Sequence, residues 1–243
     1  MLEHTGLNKL EGFGPVYVIN MERSIQRKQY IEEHFKKYKI SNYSFVNAID
    51  GSKENIDNML VNSVSRFLSN GEAACSISHI KAINQWLHES DSEYAIIAED
   101  DISFETVDFW DFTWKDFLGS INKKYDILQM AIINNFIVNP RLHLREYLDW
   151  SASAYLIKRS FAEKLVKKHL VDEKYILGSN RLKSLSEGLL YTDGLCYSIP
   201  LFTYSTDLGS NLNPEHVNTI HLRSKNQVLK YWKNNKRFKL DLI

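Results

Sequence analysis

Three consecutive carboxylates, Glu99, Asp100 and Asp101, follow an apolar run in the sequence YAIIAEDD (94–101). The run has the composition of a buried strand, and open α/β sheets bind their ligands beyond the carboxyl ends of strands. Adjacent like charges repel one another unless a cation lies among them, and hard divalent cations take carboxylate and phosphate oxygens. The triplet therefore predicts an Mg²⁺ or Mn²⁺ site that holds a diphosphate. A solvated acidic loop or an Asp helix cap is the alternative.

The spacing within the triplet singles out two of its members. Glu99 and Asp101 lie two residues apart, so an extended backbone points both side chains to the same side. We predict that Asp101 and one neighbour share the cation.

A second group of polar residues, Asn20, Arg23 and Arg27, lies in the sequence NMERSIQRK directly after the first apolar run. The forked donors of arginine and the N-terminus of a helix both suit phosphate oxygens. Basic residues in a first helical turn are poorly matched to the helix dipole, which disfavours a purely solvated role. These three residues are predicted to contact a nucleotide.

The elements that must position these groups alternate between strands and helices. GPVYVINM (14–21) and YSFVNAIDG (43–51) read as strands around a helix capped by Ser24, with Ile31, Phe35 and Tyr38 on its apolar face. Such a unit predicts parallel pairing. Further strands are expected at 94–101, 125–130 and 153–157, and further helices after Ser69 or Asn70, after Ile157 and around 226–232. The fold class is α/β, with a mostly parallel sheet flanked by helices.

Composition narrows the function and the location. The 30 basic and 30 acidic residues cancel, which argues against a general nucleic-acid binder. Cys75 and Cys196 lie far apart and are expected to be free thiols in a reducing compartment. There is neither a signal-peptide pattern nor an apolar run of ~20 residues, so we expect a soluble, cytoplasmic protein without a transmembrane segment.

Four segments in order, VYVINMERSIQRKQYIEEHF, FVNAIDG, LSNGEAACSISHIKAI and YAIIAEDDISF, resemble glycosyltransferase family 25. That family includes lipopolysaccharide-type glycosyltransferases and collagen galactosyltransferases. The resemblance covers about residues 15–130 and continues more weakly through SASAYLIKRSFAEKL and IPLFTYSTD. It implies one GT-A-like domain over 1–243, with a donor-binding half (15–130) and an acceptor-side half (131–243) that ends in a basic tail.

The resemblance also implies an activity: inverting, metal-dependent transfer of a hexose, galactose or glucose, from a UDP-sugar to a hydroxyl of a glycan, lipid-linked or protein acceptor. The triplet falls on the acidic metal and nucleotide motif, and Asn20, Arg23 and Arg27 fall on the first-loop motif. Glu72, Ser78 and His79 fall on the GE…C..SH helix, which is expected to carry Cys75, Ser78 and His79 opposite its apolar face. For His79, buried hydrogen bonding and donor contact both stay open.

The second half supplies the remaining candidates. An inverting transferase needs a carboxylate base for the acceptor hydroxyl, and Glu187 is the first candidate, followed by Asp193. Glu187 stands where the family commonly has Asp. His221 is expected as a further metal ligand, His216 as a diphosphate contact, and Gln129 as a sugar contact or else a buried, satisfied amide.

Two other functions compete with this one: a catalytically inactive UDP-sugar-binding module or scaffold, and a metal-dependent nucleotidyltransferase or phosphohydrolase.

The tail KYWKNNKRFKL (230–240) could contact an anionic membrane surface, although a solvated basic helix end is the simpler interpretation. The donor sugar, the acceptor and the oligomeric state do not follow from the sequence.

Overall fold

A seven-stranded sheet organises the chain in the computed structural model, which describes residues 8–61, 68–209, 212 and 214–235. The strands are β1 (Val16–Asn20), β2 (Tyr43–Asn47), β3 (Tyr94–Glu99), β4 (Ile102–Ser103), β5 (Ile127–Gln129), β6 (His143–Leu144), β7 (Ala154–Lys158), β8 (Leu170–Val171), β9 (Lys174–Tyr175), β10 (Cys196–Ser198) and β11 (Thr203–Tyr204). The helices are α1 (Ile25–Lys37), α2 (Asn70–Glu89), α3 (Trp114–Ser120), α4 (Arg159–His169), α5 (Arg181–Ser184), α6 (Ser186–Tyr191) and α7 (Leu222–Asn234).

Four short helical turns lie between these elements. Three are 3₁₀ helices, at Ile56–Met59, Glu105–Phe109 and Pro214–His216, and the fourth is a π-helical turn at Val217–His221. None of the helices within the described ranges is long and apolar enough to span a membrane.

The strand order in the sheet is β2-β1-β3-β7-β5-β10-β6. β1 pairs in parallel with β2 and β3, and β5 pairs in parallel with β10, whereas β7 is antiparallel to both of its neighbours and β6 is antiparallel to β10. Five strands thus run in one direction and two in the other. The predicted α/β class is confirmed, with a mixed sheet.

The first half of the chain forms the parallel βαβ unit that the sequence predicts. α1 begins after Ser24, and Ile31 and Phe35 are fully buried beneath it. β1 and β2 are shorter than predicted, because residues 48–51 form the connection to the next segment instead of extending β2. Gly51 is required in that connection: a Cβ there would lie 2.4 Å from the carbonyl oxygen of Asn70, in the first turn of α2.

α2 returns the chain to the other side of β1, so that β3 is added next to β1 opposite β2. A capping box starts the helix, in which the Ser69 hydroxyl accepts from the backbone N–H of Glu72 and the Glu72 carboxylate accepts from that of Ser69. α2 is buried on more sides than its apolar residues predict. It packs against α4 and α6 as well as the sheet, and Ser76, Ser78 and His79 are buried with the apolar residues.

The second half follows its predicted pattern in outline. α4 follows β7 where a helix is predicted, and it buries Phe161, Leu165 and His169. α7 begins four residues earlier than predicted and is fixed by Trp232, which is fully buried and donates from its indole to the carbonyl of Pro200 at 2.7 Å. The basic tail beyond residue 235, including Lys236, Arg237 and Lys239, lies outside the described residues.

Candidate active site

The carboxyl ends of β1 and β3 border a cleft of about 310 Å³, which we call the first cleft. Because β2 and β3 lie on opposite sides of β1, this is the point where the strand order reverses, and α/β sheets bind ligands at such points. Side chains from α1, the β2–α2 connection, α2 and the end of β3 line it. The residues that the sequence singles out in these segments are therefore brought together.

A buried hydrogen-bonded hub joins the two strand ends. Asn20 donates from Nδ2 to Oδ2 of Asp100 at 2.7 Å, and Arg27 donates from Nη1 to Oδ1 of Asp100 at 2.5 Å. The second Arg27 nitrogen, Nη2, donates to the carbonyl of Gly209 at 2.7 Å. Nη1 also lies 3.5 Å from Oδ2 of Asp101. Arg27 therefore offsets part of the charge of the triplet and positions Asp100 and Asp101.

Arg23 is engaged in a similar way, with Asp50. Its Nε donates to Oδ2 of Asp50 at 2.6 Å, and Asp50 also accepts from the hydroxyl and backbone N–H of Ser52. The hydrogen bonds from Ser52, together with Arg23, lower the pKa of Asp50 to about 2. The sequence prediction missed Asp50 as a site residue. The available signal was that AIDG directly follows β2 at the same edge of the sheet.

His79 lies beneath Glu99 and is 1% exposed. Its Nε2 is 3.3 Å from Oε1 of Glu99, and its Nδ1 is 3.2 Å from the hydroxyl of Tyr155. Burial disfavours the charged form of Glu99, but the hydrogen bond and charge of His79, with Arg27, hold the pKa of that carboxyl below its ordinary value. The buried hydrogen bonding expected for His79 is observed, and the residue also borders the first cleft.

Ser78 has a structural position. Its hydroxyl donates to the carbonyl of Ala74 at 2.7 Å and accepts from the backbone N–H of Ile49 at 2.9 Å. It thereby fastens the β2–α2 connection to α2. The side chain also borders the first cleft.

Asp101 differs electrostatically from its two neighbours. Burial, followed by the charge of Glu99, raises the pKa of Asp101 to about 8. Its Oδ1 is buried without a hydrogen-bond partner among the described residues. A cation beside such a carboxyl restores its ionised form, and a free buried oxygen is an available ligand atom.

The carboxylates around Asp101 offer oxygen atoms of the kind that a divalent cation prefers. Arg27 is the one guanidinium that contacts the triplet within the described ranges, so it balances at most one of the three carboxyl charges. Glu99 and Asp101 both face the first cleft and also a second one, whereas Asp100 is directed to Asn20 and Arg27. Oxygen ligands of this kind suit Mg²⁺ or Mn²⁺.

The second cleft, of about 470 Å³, begins where the first ends. Cys75, Glu99, Asp101 and Leu212 border both clefts. The far wall carries aromatic and apolar side chains from several distant segments, including Ile133, Trp150, Tyr204, Val217 and Ile220.

Glu187 lies in the wall of the second cleft, at the start of α6. Its Oε1 accepts from the backbone N–H of Ser151 and its Oε2 from the hydroxyl of Ser186, both at 3.1 Å. These bonds fix the carboxylate toward the segment that carries Trp150. His216 and His221 line the same cleft, with ring centroids 6.3 Å apart, and the ring of His221 lies edge-on to that of Tyr204.

Glu72 borders the second cleft instead of the first. Its carboxylate accepts from Ser69 in the capping box and forms an ion pair with Arg181. A structural role for this residue is therefore observed.

Gln129 and Asp193, two of the predicted site residues, lie outside both clefts. Gln129 is the buried, satisfied amide of the two roles left open: its nitrogen donates to the carbonyls of Asp149, Trp150 and Ser151, and its oxygen accepts from Ser198. Asp193 pairs with Lys168 at the surface and borders neither cleft. Asp193 follows α6 directly, and the sequence does not show that the chain turns away there.

Comparisons with known proteins agree with the geometry. Residues 13–176 match the family "Glycosyltransferase family 25 (LPS biosynthesis protein)". A protein of Acanthamoeba polyphaga mimivirus, named "Putative glycosyltransferase R655", is 25% identical over 128 residues, which are 51% of this chain and 38% of that protein. The aligned region thus spans well under half of the viral protein's length.

Among solved structures, A197 from STIV aligns with 10% identity and a TM-score of 0.47, over 82% of this chain and 89% of that one. HddC from Yersinia pseudotuberculosis aligns with 10% identity and a TM-score of 0.35, over 78% and 92%. The family match covers more than half of the sequence and includes α1, α2 and the acidic triplet. The chain belongs to glycosyltransferase family 25.

Proposed function

We propose that the protein is a metal-dependent, inverting glycosyltransferase that moves a hexose, galactose or glucose, from a UDP-sugar to a hydroxyl of a glycan, lipid-linked or protein acceptor. The observation that carries this proposal is the pair of clefts that meet at Glu99 and Asp101. A transfer reaction needs two adjoining substrate sites, and a cation at their border would lie beside the leaving group. Action in the cytoplasm, and contact of the basic tail with a membrane, are parts of the same proposal.

In this proposal the nucleotide lies in the first cleft. Asn20 and Arg27 hold Asp100, and Arg23 holds Asp50, so that the walls of the cleft are ordered before the donor arrives. Asp101 and Glu99, with His221 from the second cleft, would hold Mn²⁺ or Mg²⁺, which offsets the charge of the departing diphosphate. His216 is proposed to contact that diphosphate.

Glu187 is the proposed base. The acceptor hydroxyl gives its proton to the carboxylate, and its oxygen bonds to the anomeric carbon on the face opposite the diphosphate. The bond from that carbon to the UDP oxygen breaks, its electron pair leaves with UDP, and the configuration inverts. Trp150, next to the backbone that holds Glu187, offers an aromatic face for the acceptor.

The test is a measurement of UDP release from UDP-galactose, UDP-glucose and UDP-N-acetylglucosamine, with a panel of glycan acceptors and with or without a chelator. We expect release that requires both the acceptor and Mn²⁺ or Mg²⁺, and a product of inverted anomeric configuration by NMR. Retained configuration, or turnover that withstands chelation, would contradict the mechanism. Release of phosphate or pyrophosphate would indicate a phosphohydrolase or nucleotidyltransferase.

One observation favours the second candidate, an inactive UDP-sugar-binding module. Arg23 and Arg27 are both occupied by carboxylates of the protein itself, which leaves fewer free donors for phosphate. The same assay separates the two functions, because a binding module would bind UDP in calorimetry without releasing it from any donor.

A further inference from the structure

Three ligand atoms of different chemistry converge at the border of the two clefts. They belong to Cys75 and His79, one helical turn apart on α2, and to Glu99 at the end of β3. The thiol sulfur, an imidazole nitrogen and a carboxylate oxygen all lie within 4.8 Å of one another. The oxygen-rich site described above, centred on Asp101, does not use the thiol or the imidazole.

The separation of these atoms suits a tetrahedral metal. Nε2 of His79 and Oε1 of Glu99 are 3.3 Å apart. Two such ligands, each about 2.0–2.1 Å from a tetrahedral Zn²⁺, stand roughly 3.3 Å from each other. The sulfur lies within 4.8 Å of both atoms, and a tetrahedral Cys-His-Glu set would require roughly 3.6 Å, so the thiol must approach by about 1 Å at most.

The surroundings of His79 also match those of a metal-bound histidine. Nδ1 lies 3.2 Å from the Tyr155 hydroxyl, and Tyr155 is itself fully buried. A partner on the second ring nitrogen fixes the ring and leaves Nε2 to face the metal. Cys75 and Glu99 border both clefts, so a cation has a route of entry and a fourth, open coordination position.

We propose that Cys75, His79 and Glu99 form a binding site for a thiophilic divalent cation, Zn²⁺ in the first place, which inhibits the transferase when it is occupied. Binding breaks the S–H bond of Cys75: the proton passes to water and the sulfur electron pair goes to the metal. The bound cation takes Glu99 away from the Mn²⁺ or Mg²⁺ that the donor requires. This inhibitory effect rests on the proposed function, whereas the binding itself does not.

The test of binding is a titration of the metal-stripped protein with Co²⁺, whose bond to a thiolate gives a near-ultraviolet charge-transfer absorption. We expect one Co²⁺ per chain, loss of the band in Cys75→Ser, and bleaching by equimolar Zn²⁺. Cys196→Ser is the matched control and should keep the band, because Cys196 is buried in β10 and borders neither cleft. Asp101→Asn should also keep it, which separates this site from the oxygen-rich one.

A second measurement uses the unaltered chain, so it does not depend on the folding of a variant. Zn²⁺ should slow the alkylation of Cys75, followed by mass spectrometry, at least tenfold, and Mg²⁺ should not. Absence of the Co²⁺ band together with unprotected Cys75 would overturn the site.

Inhibition is measured separately, as UDP release in excess Mn²⁺. We expect Zn²⁺ to inhibit the wild type at concentrations at least tenfold lower than Cys75→Ser. Equal inhibition of both would overturn the inhibitory role. If the wild type released no UDP at all, the proposed function would fail, while the Co²⁺ and alkylation results would still decide the site.

Discussion

The two clefts differ in the side chains that line them. In the first, the charged groups are already paired: Arg23 with Asp50, and Arg27 and Asn20 with Asp100. In the second, Glu187 is held by one backbone N–H and one hydroxyl, and aromatic and apolar side chains make up much of the wall. Paired charges suit a constant ligand such as a nucleotide, whereas aromatic side chains such as Trp150 and Tyr204, which have no counterpart among the described residues of the first cleft, suit the ring faces of sugars.

The origin of the wall residues differs in the same way. The first cleft comes mainly from consecutive elements, β1-α1-β2-α2-β3, whose parallel pairing brings their carboxyl ends to one edge. The second is assembled from segments 133–135, 150–153, 181–187, 204–209 and 216–221. The first cleft is therefore expected to tolerate few changes, and under the proposed function the second is where differences in acceptor are expected.

The largest effect is expected on the donor side, from Asp101→Asn. The amide keeps the shape of the side chain but not its charge, so metal-dependent UDP binding should be lost and transfer should fall by about 10³-fold. The variant should unfold at the same temperature as the wild type or higher, because a repelled buried carboxylate is removed. Calorimetry with UDP and Mn²⁺ and a thermal melt check both parts, and substantial remaining activity would contradict the role of Asp101.

On the acceptor side, Glu187→Gln should lower transfer by about 10²- to 10³-fold, because the base is removed. UDP affinity should stay within about twofold, since the side chain borders only the second cleft. Asp193→Asn is the control and should retain full turnover, because that residue pairs with Lys168 at the surface. An equal loss of UDP binding in Glu187→Gln would show that the clefts are not separate in function.

The two arginines of the first cleft allow a comparison of stability. The side chains of Arg27 and Asp100 are 12% and 8% exposed, so Arg27→Ala leaves a buried carboxylate and should lower the free energy of unfolding by about 3 kcal/mol. The side chain of Arg23 is 45% exposed, and Arg23→Ala should cost less than about 1 kcal/mol. Urea denaturation of both variants measures these changes, and similar losses in the free energy of unfolding would contradict the hub role of Arg27.

The smallest predicted effect concerns the pair His143 and Asp149, in which Nε2 of the histidine lies 2.9 Å from Oδ2 of the aspartate. Burial lowers the pKa of His143, but the hydrogen bond and charge of Asp149 outweigh burial and raise that pKa overall. For Asp149 the directions are reversed: burial raises its pKa, but the hydrogen bonds from His143 and from a backbone N–H lower it overall. The contribution of His143 to the free energy of unfolding is therefore complete below its ordinary pKa of 6.5 and is lost as the pH rises above that value. The contribution of Asp149 is lost as the pH falls below its ordinary pKa of 3.8.

It follows that His143→Gln should destabilise the protein most between about pH 4 and 6.5. The difference from the wild type should shrink by about 1 kcal/mol between pH 6 and pH 8.5. Urea denaturation at several pH values checks this. A difference that grows with pH would have the wrong sign for a charged His143–Asp149 pair.

The sequence predicts the first cleft better than the second for a physical reason. Polar residues at the ends of parallel strands in βαβ units meet at one edge of the sheet. The order of strands and helices along the chain is therefore enough to predict that Asn20, Arg27 and Asp101 lie close together. The partner of each charge could not be predicted, because the pairs Arg23–Asp50 and Arg27–Asp100 span 27 and 73 residues.

In the second half of the chain, the local sequence pattern predicts less of the structure. The antiparallel insertion of β7 between β3 and β5 is decided by long-range pairing, and an apolar run such as SAYLI has the same appearance in either direction. Gln129 lies at a strand end like the triplet, yet the bend at 149–151 covers it. Burial of this kind depends on a segment 20 residues away, which periodicity does not reveal.

The contacts behind the acidic triplet limit how these enzymes can be re-engineered. β4 pairs with β11, the backbone N–H of Ser205 donates to the carbonyl of Asp101 at 2.7 Å, and Arg27 reaches the carbonyl of Gly209. A chimera joined near residue 130, intended to exchange the proposed acceptor side alone, would also replace the strand and loop that contact the proposed cation ligands. Acceptor exchange should instead be attempted as separate grafts of 133–150 and 181–187, with 201–209 kept from the parent.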